Sequence, residues 1–221
     1  VERRGVQVSA VTTVACLSDT HLRHGDITVP DADILIHAGD ACGRGEGWEV
    51  ADFHEWMFSL PHRHKVYVPG NHDWDCERRP MYWRAMFASL GMHCLIDEAV
   101  EIEGLRIYGS PWQPEFCQWA FNVERGRKLA AIWSRIPADT QVLVTHGPPA
   151  GILDVAPSDR GVGCHDLRRR VGQLADLKLH VFGHVHHSAG QMRGHRNALF
   201  VNAAICDERY EPSNPVQVVE L

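Results

Sequence analysis

Thr13 to His21 reads TVACLSDTH: five residues of strand-forming character, then Ser, Asp, Thr and His. Val, Thr and small apolar residues in so short a run suit a buried strand better than a helix. The abrupt switch to Asp19 and His21 places polar side chains just past the strand's carboxyl end. Four more stretches follow the same plan. DILIHAGD (33–40) ends on Asp40, and KVYVPGNHD (65–73) runs into Asn71, His72 and Asp73. QVLVTHG (141–147) ends on His146, and KLHVFGHVH (178–186) ends on His184 and His186.

Between and after these runs lie other elements. Ala99–Ile102 and Leu105–Tyr108 flank Glu103-Gly104, a hairpin turn with Gly where a positive φ is needed. Two late strands are expected at Ala198–Asn202 and Val216–Val219. Val50–Leu60 carries apolar residues at Phe53, Trp56, Met57 and Leu60, a helical spacing. Pro80–Leu90 has Pro at its start and Gly91 just past its end. Val123–Ile136 and Cys164–Leu174 complete the helices. The pattern predicts an α/β (α+β) domain of mixed sheets covered by helices, with the whole of 1–221 as a single domain. No repeat, low-complexity tract or linker interrupts it.

The strand ends carry the chemistry. In α/β sheets the loops at the carboxyl ends of strands converge on one crevice. One Asp after a strand is ordinarily a turn residue or helix cap, and one loop His is ordinarily a satisfied side chain. Five such ends, four of them with His, exceed what turns require. Asp, Asn and His are mixed oxygen and nitrogen donors that suit Mn, Fe, Zn or Ni better than Ca. Seven donors, Asp19, His21, Asp40, Asn71, His146, His184 and His186, are too many for one ion with an open position. They match two ions about 3.5–4 Å apart, the clamp used on phosphate esters.

As a set, Asp19-x-His21, Gly39-Asp40, Gly70-Asn71-His72-Asp73, His146 before Gly147, and Gly183-His184-x-His186 resemble the calcineurin-like metallophosphoesterase signature. These core motifs run in order through residues 13–187. LRIYGSPWQPEFCQWAFN (105–122), THGPP (145–149), KLHVFGH (178–184) and Asn214-Pro215 further resemble the small metallophosphoesterase-domain-containing branch. The resemblance implies a β-sandwich flanked by helices and a phosphodiesterase acting on small phosphodiesters, cyclic nucleotides (2′,3′ or 3′,5′) among them. It implies two divalent ions, Mn2+ first and Fe, Zn or Ni as alternatives. Asp19, His21 and His186 would hold one ion, Asn71, His146 and His184 the other, with Asp40 bridging. Hydroxide held between the ions would attack phosphorus, and His72 would assist the leaving oxygen. Asp73 would either orient His72 or cap a helix. The phosphoprotein phosphatase branch has Asp three residues after the Gly-Asp aspartate; here that residue is Gly43, which argues against such a substrate.

Other residues could shape the site. Trp112, Phe116 and Trp119 offer rings on which a purine could stack. Packing is an equal reading for Trp112 and the better one for Trp119. Cys164 could line the pocket or sit buried as a small apolar residue. His24, His165 and His187 read as surface or supporting residues, and His37 as a core or supporting histidine. A broad phosphomonoesterase and a metal-binding scaffold without activity are the alternative functions.

Bulk composition sets the outer limits. Net charge is −6, and hydrophobic residues make up 44% of the 221. That balance favours no long nucleic acid and no anionic membrane surface as partner; a small phosphoester or nucleotide is expected instead. Seven cysteines, an odd number without a Cys-x-x-Cys pair, suit a reducing compartment. Val1–Ala10 lacks an apolar leader segment. A cytoplasmic protein is the expectation.

Overall fold

The computed structural model describes residues 11–158, 160–194 and 198–221. Val1–Ala10, read above for a leader, lies outside them. Two sheets make up most of the fold. The first contains β1 (Thr13–Leu17), β2 (Ile34–His37), β3 (His64–Tyr67) and β4 (His93–Cys94), paired in parallel in that order. The second contains β5 (Glu98–Ile102) and β6 (Leu105–Ser110). A small parallel pair of β7 (Gln113–Pro114) and β8 (Asn122–Val123) follows in the chain. The second sheet continues through β9 (Val142–Thr145), β10 (Leu179–Phe182), β11 (Gly190–Arg193) and β12 (Leu199–Asn202), in the order β11-β12-β10-β9-β6-β5. The strand β13 (Gln217–Glu220) closes the free edge of β1 antiparallel.

Period-two alternation within each strand explains how the layers stack. Val14, Cys16, Ile34, Ile36 and Val66 of the first sheet pack against Ile107, Val142, Val144, Val181 and Val201 of the second. The intervening residues face outward. Ala15, Leu17, Leu35 and Tyr67 lie under α1 (Gly47–Ser59), the short α2 (Trp74–Arg78) and α3 (Pro80–Ser89), which contribute Phe53, Met57, Cys76, Trp83 and Phe87. Leu143, Phe182 and Phe200 lie under α4 (Arg127–Trp133) and α5 (His165–Val171), which contribute Leu129, Trp133, Leu167 and Val171. The expected sandwich of mixed sheets flanked by helices is therefore present. Burying each such aliphatic or aromatic side chain contributes about 1.5–3 kcal/mol.

Most expected elements lie within one to three residues of their observed bounds. The helix expected over Val123–Ile136 is shorter, and the reason is local. Asn122 and Val123 pair with Gln113 and Pro114, and Gly126 sits at φ +90° ahead of the first helical turn. Glu103 and Gly104 both adopt positive φ, so the hairpin turn has the twist its flanking strands require. The strands β4 and β11 and the helix α2 were not expected: each is too short, or too mixed in polarity, to show a period.

Trp133 is 1% exposed and donates its indole N–H to Cys164 Sγ. Trp133→Ala is expected to cost about 3–5 kcal/mol in chemical denaturation. Trp48→Ala, at a residue 65% exposed, should stay within about 0.5 kcal/mol. Equal effects would contradict the assigned core.

Candidate metal centre

All seven sequence-predicted donors lie on loops leaving the carboxyl ends of β1, β2, β3, β9 and β10. Hydrogen bonds between the loops extend the strand pairing beyond the sheets. Asp19 N–H donates to Gly39 O, His21 N–H to Asp40 O, and Gly183 N–H to His146 O. The chain turns sharply there: Asp19, His21, Asp40 and His184 take φ between +41° and +68°. Side chains with Cβ reach that region at a cost, and such residues gather at functional sites.

The donors fall into clusters. Asp19, His21 and His186 offer atoms within 4.8 Å of one another, and so do Asp40, His146 and His184. A third grouping joins His72 to His21 and Asp40. Asn71 Oδ1 lies 2.9 Å from His146 Nε2, which is itself 3.3 Å from Asp40 Oδ2. His186 Nε2 lies 3.3 Å from Asp19 Oδ1.

Backbone carbonyls set the histidine tautomers. Nδ1–H of His21 donates to Cys42 O, that of His146 to Ala38 O, and that of His186 to Asp207 O, at 3.1, 2.9 and 2.9 Å. A carbonyl only accepts, so each ring keeps its proton on Nδ1 and turns Nε2 toward the centre. The Nε2 atoms of His21 and His186 are 3.3 Å apart. Two lone pairs facing each other at that distance need a proton or a cation between them. His146 Nε2, facing two oxygens, has the same need.

The electrostatics agree. Burial works against ionisation of Asp19 and Asp40, yet His186 beside Asp19 and His146 beside Asp40 pull both carboxyls below the usual range. Burial also works against charge on His146 and His186, but the same carboxylates outweigh it and carry both up to about 9. His21 and His184, where burial dominates, fall to about 4. The donor set is thus anionic, buried and short of cations, and could hold two divalent ions.

Supporting residues fix these loops. Asp73 accepts N–H groups from Asp40, Cys42 and Gly70 at 2.9, 3.0 and 2.6 Å, joining the loops that carry Asp40 and Asn71. Burial and the Asp40 carboxylate push its carboxyl up, against the Gly70 N–H and the Tyr67 and Cys42 side chains, which favour the ionised form. Asp73 stands at the N-cap of α2, one of its two expected places, though its carboxylate makes no cap hydrogen bond, and among the described hydrogen bonds none joins it to the His72 ring. His72 Nδ1–H instead donates to Gly43 O at 2.7 Å, and its ring stacks on Trp119 with centroids 4.1 Å apart. Packing was the favoured reading of Trp119, and nothing in its sequence context signals that its partner is His72. His37 is buried and bridges two donor loops, with Nε2 on Thr20 Oγ1 and Nδ1 accepting Gly39 N–H. His180 likewise meets Thr145 Oγ1 at 2.9 Å.

A cleft of about 340 Å³ opens over the centre, lined by His21, Asp40, Asn71, His72, His184 and His186. Phe116, Arg125, Glu115, Glu208 and Tyr210 form part of its walls. Of the expected substrate contacts, Phe116 is there, but Trp112 and Cys164 are not among the lining residues. Trp112 packs on Phe121 and donates its N–H to Asp97, and Cys164 is buried at the start of α5. His187 lines the cleft paired with Glu208, His24 is buried against Asp52, and His165 is exposed on α5.

The model of the calcineurin-like phosphoesterase family matches residues 12–188. The chain belongs to this family. It is 39% identical to metallophosphoesterase domain-containing protein 1 of Homo sapiens and of Mus musculus, over 95% of this chain and 71% of either relative. A UPF0046 protein of Caenorhabditis elegans is 37% identical over 89% of the chain and 78% of the relative. One solved structure shares the fold at TM-score 0.69 and 17% identity, covering 95% of this chain and 99% of its own. The crystal structure of a Thermus thermophilus protein, TT1561, does so at 0.56 and 14%, covering 87% and 89%. The chain is accordingly a metal-dependent phosphoesterase, in which no described helix is long and apolar enough to cross a membrane.

Gly70 tests the packing of this calcineurin-like centre. A Cβ there would overlap the Asp40 carboxylate and meet the His146 ring. Gly70→Ala is expected to lower phosphoesterase kcat/KM by about 10²-fold, the scale of a 1 Å misplacement, with far-UV circular dichroism unchanged; full activity would contradict the geometry. Metal should also stabilise the fold. A hundredfold excess over Kd adds about 2.7 kcal/mol, or roughly 5–10 °C in Tm for this size, and chelation should reverse it. A Tm indifferent to both would count against a metal site.

Proposed function

We propose that the chain is a binuclear phosphodiesterase that hydrolyses small phosphodiesters, with cyclic nucleotides (2′,3′ or 3′,5′) as the substrate class. Asp19, His21 and His186 would hold one ion, and Asn71, His146 and His184 the other, with Asp40 shared. Mn2+ is the first choice by the family resemblance, with Fe, Zn and Ni, which imidazole ligands suit, as alternatives. When bound, the ions supply Lewis acidity and lower the pKa of a coordinated water.

The observation that carries the diester reading is the charge of the cleft wall. Glu115 and Glu208 line it, and Arg125 is the one lysine or arginine among the described lining residues. The guanidinium of Arg125 donates to Gly163 O and Val162 O at 2.8 and 2.7 Å, so both terminal nitrogens are engaged. Two of its five N–H donors are thus spent on the protein, and the wall otherwise offers a dianionic phosphate carboxylates rather than lysines or further arginines among the described lining residues. A monoanionic diester meets less repulsion from the two carboxylates.

His72 lines the cleft with its Nδ1 committed to Gly43 O, which turns Nε2 toward the reacting group. In its imidazolium form, with a second proton on Nε2, the ring can give that proton to the departing alcohol oxygen. Gly43 and Trp119 hold the ring, a task the sequence had suggested for Asp73. All seven cysteines are free thiols, which supports a reducing compartment and, with it, a cytoplasmic location.

With Mn2+ added, kcat/KM for bis-p-nitrophenyl phosphate should exceed that for p-nitrophenyl phosphate. The reverse order would replace this reading with a phosphomonoesterase, and no turnover of either with metal bound would favour a scaffold. His72→Ala should slow esters with poor leaving groups by about 10²–10⁴-fold and p-nitrophenyl esters much less. Equal losses on both would remove the acid role.

A further inference from the structure

Two aromatic side chains stand exposed at the mouth of the cleft, beside different donor clusters. Tyr210 is 48% exposed, and its ring is perpendicular to His21 at a centroid distance of 4.6 Å and to His186 at 5.8 Å. Phe116 is 55% exposed and perpendicular to His184 at 6.0 Å. Both line the cleft.

Neither ring hangs on a loose segment. Tyr210 N–H donates to Asp207 O, and Asp207 Oδ1 accepts the N–H groups of Arg209 and Glu211 at 2.8 and 3.1 Å. The same Asp207 carbonyl accepts His186 Nδ1–H, so the turn bearing Tyr210 is fastened to the centre itself. Tyr210 takes φ +60°, a conformation that an aromatic residue adopts only when its surroundings enforce it. In the segment that bears the other ring, Phe116 O accepts Asn122 Nδ2–H at 2.6 Å and Trp119 N–H at 3.3 Å, and Cys117 and Gln118 also take positive φ. Rigid turns therefore hold two apolar rings partly in water next to a polar centre. Exposed rings occur elsewhere on this surface, Trp48 and Phe58 among them, but these two line the cleft over the donor clusters, where an entering ligand would cover them.

We infer that Phe116 and Tyr210 form an aromatic clamp that selects phosphodiesters bearing a flat aromatic group, such as a nucleobase, over those with aliphatic alcohols. The inference rests on the diesterase reading and assigns recognition of the base in that substrate class to two side chains. Rings accept any base by its face, so the clamp favours purines and pyrimidines alike over a bare phosphate ring. Phe116 was among the rings singled out in the sequence; Tyr210 takes the place that Trp112 does not fill.

The test compares 2′,3′-cyclic AMP with ethylene phosphate, which carries the same five-membered cyclic diester and no base. In Mn2+-saturated protein, Phe116→Ala and Tyr210→Ala should each lower the ratio of kcat/KM for cyclic AMP over ethylene phosphate by on the order of tenfold. The loss should appear in KM, and Phe116→Trp and Tyr210→Phe should restore it. An unchanged ratio, or equal loss on both substrates, overturns the clamp. Calorimetric Kd values for 2′-AMP and inorganic phosphate keep the two ideas separable. If the wild type cleaves no diester, the diesterase reading falls. The clamp then stands only if ring removal weakens 2′-AMP about tenfold more than phosphate.

Discussion

Asp19 and Asp40 are 0% and 2% exposed at the ends of adjacent parallel strands, and among the described residues neither pairs with a lysine or arginine. Their only ionic partners among those residues are histidines whose Nδ1 atoms are already committed to carbonyls. Two buried negative charges are costly in a low-dielectric interior unless cations reach them. The surrounding structure is arranged around this requirement. Five loops leave two sheets at one end, glycines admit the close approach, and Asp73, His37 and His180 fix the loops from behind. The raised pKa of His146 and His186 expresses the same need, since protons collect where a cation is called for.

The sandwich makes the convergence possible. Each sheet alone would place its strand ends along one edge. Packing β1, β2 and β3 over β9 and β10 brings Asp40 within 3.3 Å of His146, which is 106 residues further along the chain. Backbone hydrogen bonds between Asp19 and Gly39 and between Gly183 and His146 carry the order of the sheets into the loops. Positive φ at four donor residues shows that local preference yields there to the demands of the site.

Much of this was legible in the sequence, because buried strands and their polar ends obey short-range rules. Alternating or continuous apolar runs located the main strands, and the donors followed at fixed offsets. What escaped depends on long loops without a period. The loop 115–119 puts Trp119 against His72, and the turn 207–210 puts Tyr210 over His21, yet neither segment carries a pattern that predicts it. Asp73 was assigned to the nearest histidine, whereas three backbone N–H groups compete for its carboxylate and win. For Trp112 stacking and packing were equal readings, and packing holds: its N–H finds Asp97 and its ring meets Phe121, as a half-buried indole requires.

The central claim is that the cluster around Asp40 holds two ions at once. Anomalous scattering from crystals grown with Mn2+ tests it most directly. The account predicts two peaks roughly 3.5–4 Å apart, one within the Asp19, His21 and His186 donors and one within the Asn71, His146 and His184 donors, with Asp40 between them. A single peak at saturating metal, or peaks that avoid Asp40, would contradict it.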